Sequence, residues 1–297
     1  MTWKLTLPCT KEEAEQLAQD ISIMAGLDQP PVLMTSEETA DRWRLDAYFE
    51  KKPTPSEISA LRALVPSAAL ASAAPERVPE QDWVTLSQQG LEPIRAGRFF
   101  VHTPAHRGEV PAGAVALEID AGRAFGTGQH ETTTGCLIAL DRLKREGFVA
   151  RNIVDVGTGT GLLAFAALRL WPGARAIASD IDPVAVEVTQ ENALVNGVRL
   201  GRAPGALDTV TAPGLEHPRL RARLLYDLII ANILAGPLIS MAPSLGSALA
   251  PGGRLILAGL LTSQATRVEA AYRREGLRRR FSIVRGEWPT LVLRRPL

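Results

Sequence analysis

The stretch VDVGTGTG, Val154 to Gly161, decides how this chain is read. Apolar Ile153, Val154 and Val156 describe a buried strand, and the run Gly157, Thr158, Gly159, Thr160, Gly161 turns it into a helix predicted over Leu162 to Leu170. Glycine at every second position permits positive φ and lets a ligand approach the backbone closely. The spacing is GxGxG. The dinucleotide fingerprint GxGxxG uses its third glycine to pack helix on strand and its helix N-terminus to hold a pyrophosphate. A plain strand-to-helix turn is the structural alternative.

Asp155, separated from Gly157 by Val156, stands where open α/β sheets bind ligands and can hold the glycine loop or meet a cation. A second acid closes the next strand in ASDIDP. Asp180 lies about twenty residues after the loop, where a carboxylate accepts both hydroxyls of a ribose. Asp182, just before Pro183, reads first as an N-cap. A ribose-binding acid beside a loop with no pyrophosphate seat points to S-adenosylmethionine. Further on, YDLIIANILAGPL is an apolar strand ending on Asn232. An amide there brings polar groups that need partners. It is either a turn residue or an acceptor that aims the N–H of a nucleophile.

Upstream, FGTGQHETTTG, Phe125 to Gly135, reads as a loop and polar cap before an apolar helix marked by Cys136, Leu137, Leu140 and Leu143. Thr132 and Thr133 could donate to a carboxylate at that helix start. His130 stands alone and reads as a loop-ordering residue before it reads as a base, and no metal-ligand cluster accompanies it.

Around these motifs strands and helices alternate from Asn152 onward. The strands are predicted at 153–156, 176–179, 227–231 and 254–258, with a further one between Arg199 and Val210, and helices start near 162, 183, 237 and 263. This is a mostly parallel sheet covered on both faces. Segments 281–284 and 290–293 flank a Gly, Trp, Pro turn and form a terminal antiparallel hairpin. The N-terminal region has another period. Trp3, Leu5 and Leu7 alternate, Thr10 and Glu13 make a capping box for a helix running to Ala25, and strands follow at 32–34 and 43–49. Thr54, Pro55 and Glu57 open a second helix, and a last strand is expected near 68–73. That order is a small ferredoxin-like α+β unit. The expected domains are 1–74, a linker over 75–94 marked by Pro75 and Pro79, and 95–297. The pairing of the strand-like pieces between Trp83 and Leu117 does not follow from pattern.

Composition narrows the class. The chain has 297 residues, 46% hydrophobic and 22% charged, which is ordinary globular usage. Lys plus Arg number 33 against 32 Asp plus Glu, so no bulk attraction to nucleic acid or anionic membrane follows, which leaves room for local patches. Two cysteines, Cys9 and Cys136, form no disulfide framework and suit a reducing cytoplasm. No secretory leader and no apolar run of membrane-spanning length is seen, so a cytoplasmic protein is expected. Arg273, Arg274 and Arg278 to Arg280 form a basic run, first a solvated face and secondarily a contact for ribosomal RNA.

In this order and spacing, AFGTGQHETT, VDVGTGTGLLAFAAL, SDIDPVAVEVTQENALVNGV and ANILAGPL resemble the PrmA family, which methylates ribosomal protein L11. The glycine loop alone is generic to class I methyltransferases, whereas FGTGxHxTT with NILAGPL is far more specific. The resemblance implies a ferredoxin-like substrate-recognition domain joined to a Rossmann-like methyltransferase domain. It implies S-adenosylmethionine as cofactor, with contacts at Thr133, Gly157, Asp180 and Asn232, and a catalytic part for Asn232 in orienting the amine. The implied substrate is L11, free or on the ribosome, methylated on lysine side chains and on its N-terminal amine by a monomer. Two departures fall in the cofactor loop: Glu131 replaces a proline after His130, and Ala121, Gly122, Arg123 replace proline, glycine, leucine. Rival readings are a related protein-lysine methyltransferase with another substrate, such as an electron-transfer flavoprotein subunit, a nicotinamide dehydrogenase, and a noncatalytic ribosome-binding protein. Asp155, Asp180 and Asn232 together argue against the last.

Overall fold

The computed structural model describes residues 2–19, 31–39, 42–49, 51–68, 71, 73–78, 93–119 and 129–297. They divide into two compact units, Met1–Ser87 and Gln88–Leu297, whose apolar cores are separate clusters.

In the first unit, β1 (Thr2–Cys9), α1 (Lys11–Gln19), β2 (Val32–Thr39), β3 (Arg42–Phe49), α2 (Pro55–Leu64) and β4 (Glu76–Val78) follow in turn. The sheet order is β2-β3-β1-β4 with every pair antiparallel, which is the split βαβ arrangement. Alternation places Leu5, Leu7, Leu45 and Ala47 on the face that buries Leu61 of α2. Both capping boxes form. Thr10 and Glu13 exchange bonds of 2.8 and 3.2 Å, and Thr54 and Glu57 bonds of 2.7 and 3.3 Å. Of the last strand expected near 68–73, residues 69, 70 and 72 lie outside the described residues, and Ala68, Ala71 and Ala73 are not in a strand. Pro66–Ala68 is a short 3₁₀ turn, and the fourth strand is Glu76–Val78, paired with Thr2 to Lys4. It falls inside the stretch expected as linker, so that stretch begins in ordered sheet. Residues 20–30, where the first helix was expected to end, and 79–92 lie outside the described residues.

The second unit opens with a small sheet of β5 (Ile94–Ala96), β6 (Phe99–His102) and β7 (Val115–Glu118), β5–β6 antiparallel and β6–β7 parallel. After α3 (Gln129–Arg145) come β8 (Asn152–Val156), α4 (Leu162–Leu170), β9 (Arg175–Asp180), α5 (Pro183–Val195), β10 (Arg199–Leu200) and β11 (Ala206–Thr211). Then follow α6 (Pro218–Arg221), β12 (Tyr226–Asn232), α7 (Ala235–Ser240), α8 (Ala242–Ala248), β13 (Leu249–Ala258), α9 (Thr262–Arg274), β14 (Arg278–Arg285) and β15 (Trp288–Arg294). The eight strands run β10-β11-β9-β8-β12-β13-β15-β14, parallel except where β15 enters antiparallel beside β13 and pairs with β14. The strands are buried on both faces: Ile153 packs with α3 and α4, and Val154 with α7, α8 and α9. Among the described residues no helix is long and apolar enough to cross a membrane. The architecture is the α/β class read from the sequence, a Rossmann-like sheet with a C-terminal antiparallel hairpin.

Candidate functional site

Register brings three of the expected residues to one level. Val156 pairs with Ser179 of β9 and with Ala231 of β12, so the next residue on each strand, Gly157, Asp180 and Asn232, stands at the same height on the carboxyl edge. This is the edge where open parallel sheets bind ligands.

The glycine loop is held from four sides. Its first amides, of Gly157 and Thr158, donate to the Ser179 carbonyl at 2.8 and 3.0 Å. Beneath it, Asp155 Oδ2 accepts from the Thr158 hydroxyl at 2.9 Å and from the Ala164 amide, in the first turn of α4, at 3.1 Å. Asp155 is 1% exposed, its Oδ1 has no partner among the described residues, and burial pushes its carboxyl up to about 7 against those two bonds. Asp180 Oδ2 accepts the Gly159 amide at 2.9 Å and its Oδ1 the Asp182 amide at 3.1 Å. That fixes the carboxylate while each oxygen keeps a second acceptor position. Asp182 is an N-cap, accepting from the Val184 amide at 2.9 Å.

The fourth support was missed by sequence reasoning. On α5, the Thr189 hydroxyl donates to the Gly159 carbonyl at 2.9 Å and the Asn192 amide to the Thr160 carbonyl at 3.1 Å. One turn on, Asn196 accepts from the Glu118 amide at 2.9 Å and donates to the Glu118 carbonyl at 2.7 Å. Glu118 ends β7, the strand that leads towards the FGTGQHETTTG segment. These three residues are buried and recur at i, i+3 and i+7, one helical face. Polar residues on that period beside a glycine loop were the available signal.

Asn232 is positioned by a close approach. A Cβ on Gly157, whose φ is +72°, would lie 2.3 Å from Ile233 Cγ2, and one on Gly259, at φ +83°, would lie 2.5 Å from the Ile233 carbonyl oxygen. Ile233 therefore sits between two glycines, and its amide donates to the Ala258 carbonyl at 3.1 Å. The Asn232 side chain just before it is half-buried and has no partner among the described residues.

Thr133 belongs to a helix that starts earlier than expected. Its helix is already formed at Gln129, and Thr132, Thr133 and Thr134 lie buried in its first turns instead of capping a helix that begins near Cys136. The cause is packing. Gly135 lies so close to β15 that a Cβ would meet Thr290 Oγ1 at 2.2 Å, which draws the threonine turn down onto the sheet. Thr290 is level with the end of β13, since Leu291 pairs with Leu257, so Thr133, two residues nearer the helix start, stands at the carboxyl edge. Residues 120–128, with Arg123 and Phe125, and the side chain of His130 lie outside the described residues. Among the described residues no His, Cys, Asp and Glu gather as metal ligands.

S-adenosylmethionine fits what is present. A Cβ on Gly159 would meet nothing within 4 Å, so the crest of the loop is open. The carboxylate of Asp180, fixed and half-buried at the same edge, suits a ligand that bears a ribose.

A family model described as "Ribosomal protein L11 methyltransferase (PrmA)" matches residues 3–296. A ribosomal protein L11 methyltransferase of Rhizobium leguminosarum bv. trifolii is 42% identical over 298 residues, covering 99% of both chains. Its Agrobacterium fabrum counterpart is 40% identical, covering 98% of both. Among solved structures, the ribosomal protein L11 methylase of Lactobacillus delbrueckii subsp. bulgaricus is similar with a TM-score of 0.58 at 26% identity, covering 70% of this chain and 99% of that one.

Proposed function

Since the chain belongs to the ribosomal protein L11 methyltransferase family and is an S-adenosylmethionine-dependent methyltransferase, we propose that its substrate is L11, methylated at lysine side chains and at the N-terminal amine. The observation that carries the site assignment is Asn232, an amide without a partner among the described residues, at the level of Gly157 and Asp180 and pinned through Ile233.

The cofactor, when bound, supplies an already activated methyl group. The protein's task is then to bring a neutral amine into line with it, and positioning carries the rate. A free lysine has a pKa of about 10.4 and an α-amine about 7.7 to 8.0. Removing either from water beside a cation disfavours the ammonium form, so no dedicated base is required. In this reading Asn232 Oδ1 accepts an N–H of the amine and directs its lone pair. Asp180 holds the ribose hydroxyls with its remaining acceptor positions, the glycine loop carries the cofactor across Gly157, and Thr133 meets its methionine end. The N-terminal unit recognises the substrate, L11 free or on the ribosome, and the protein works as a cytoplasmic monomer.

The test is transfer of radiolabelled methyl to purified L11 and, in parallel, to total ribosomal protein. Label on L11 is expected. Label on another protein with L11 bare would overturn the substrate. Asn232→Ala should lower kcat at least 100-fold on L11; wild-type turnover by this variant would remove the orienting role.

A further inference from the structure

Far from the cofactor edge, three arginines stand in one row across three strands. Arg254 of β13 is in register with Arg294 of β15, and Arg294 with Arg278 of β14. Residues in register share a face of the sheet, and like charges placed opposite each other destabilise it. The face is the one covered by α3, because the Arg254 guanidinium lies 5.0 Å from the Phe148 ring, just past the end of that helix. Arg280, beside the register shift between Arg279 and Phe281, joins the group, and Arg142 of α3 stacks 3.9 Å over Phe281.

Five guanidinium groups thus stand on or beside this face, and one carboxylate acts on Arg142, Arg254 and Arg280 among them. That carboxylate, Glu146, is already taken by Arg142 at 2.8 Å and by Arg280 at 2.7 Å. Arg278 and Arg294 are exposed and have no partner among the described residues. Arg254 donates through Nη1 to the Gly252 and Gly253 carbonyls while its Nε is buried without a partner among the described residues, and burial, with repulsion from Arg280 and Arg294, lowers its pKa. Residues 262–297 hold nine arginines, no lysine and three glutamates, while the rest of the chain has five more acids than bases. The positive charge is segregated here and is not a general property of the surface.

Neighbouring strands are about 4.8 Å apart, so the row is a line of cations about 10 Å long. Arginine's planar fork matches phosphate oxygens two at a time. An acidic peptide would need side-chain pockets as well, whereas a phosphodiester backbone offers an even line of charge. We propose that the row Arg254, Arg294, Arg278 is a docking surface for the phosphate backbone of RNA. RNA, as the nucleic acid concerned, rests on the proposed ribosomal substrate; the anion site itself does not. Arg254 lies four residues before Ala258, about 13 Å along β13 from the level of Asn232, so RNA here leaves the methyl-transfer edge open.

The test uses the full chain and its double variant R278E/R294E. Fluorescence anisotropy with labelled 20-nucleotide RNA should show binding that weakens between 50 and 200 mM salt. The variant should bind at least 10-fold more weakly, with the log–log salt slope reduced by about 2, as loss of two phosphate contacts requires. S-adenosylmethionine affinity, measured by calorimetry, should be the same in both, which shows that the variant is folded. Ultraviolet crosslinking in cells should recover RNA on the wild type and less on the variant. Equal RNA affinity of the two proteins, polyglutamate binding as tight as RNA, or recovery of DNA instead would each overturn the proposal. Methyl transfer to free L11 is read separately: its failure with RNA binding intact would strike the substrate and leave the anion site.

Discussion

Asp155 holds opposing demands at one carboxyl group. Burial raises its pKa to about 7, while the Thr158 hydroxyl and the Ala164 amide, both donating to Oδ2, favour the ionised form. In the unfolded chain the group returns to 3.8. Because the folded value is the higher one, the stability it contributes is complete below about pH 4 and is lost as pH rises through 7. Asp155→Asn keeps an oxygen for both donors and cannot ionise. In thermal unfolding of the cofactor-free protein, the melting temperature of the variant minus that of the wild type should therefore rise from pH 4 to about pH 7.5 and stay level above it. A difference independent of pH would mean that Asp155 is ionised throughout. This acid was legible because it precedes an alternating glycine run, and Asp182 because a proline follows it. Asn232 was legible as an amide closing an apolar strand. Its pinning was not, since the near contacts of Gly157 and Gly259 with Ile233 join residues far apart in sequence.

Helix α5 does more than cover the sheet. Thr189 and Asn192 hold the carbonyls of the glycine loop, and Asn196 holds both backbone groups of Glu118, so one helix face ties the glycine loop and the end of β7 together. Thr189→Val keeps the shape and removes the hydroxyl; Thr189→Ser keeps the hydroxyl and removes a methyl. The valine variant should raise KM for S-adenosylmethionine about 10-fold with little change in kcat, on the usual ~1 to 1.5 kcal/mol for a lost buried hydrogen bond. The serine variant should restore KM. Loss of thermal stability in both with KM unchanged would reduce Thr189 to a packing residue. Elements were legible where period and caps agreed, as at Thr54 and Glu57. They failed where tertiary contacts overruled them. Glu76, Arg77 and Val78 show no apolar period and become a strand by pairing backbone with Thr2 to Lys4. The alanine-rich stretch 68–73 looked more like a strand, yet its described residues, Ala68, Ala71 and Ala73, are not in one. Three threonines in a row suggested a cap, yet α3 runs through them because Gly135 lets the helix settle against Thr290.

On the scale of the molecule, the two units have separate cores, and the proposed function gives each its own part. Leu5, Leu45 and Leu61 centre one core, and the clusters on either face of the eight-stranded sheet form the others. A chain starting at Gln88 should then fold and bind S-adenosylmethionine with wild-type affinity, yet methylate L11 at less than 1% of the full rate. Calorimetry and label transfer on the same preparation check both halves, and full methylation by the fragment would remove the recognition role of the first unit. The strand order has a further consequence for how the protein is made. β14 has β15 as its sole neighbour in the sheet, and β15 fills the place between β14 and β13. While the chain is still being synthesised, β13 has an open flank and β14 has nothing to pair with until Trp288–Arg294 has cleared the exit tunnel. The sheet can close only after translation has passed that point. An enzyme proposed to act on a ribosomal protein thus gains its complete sheet only once Trp288–Arg294 stands outside the ribosome that makes it.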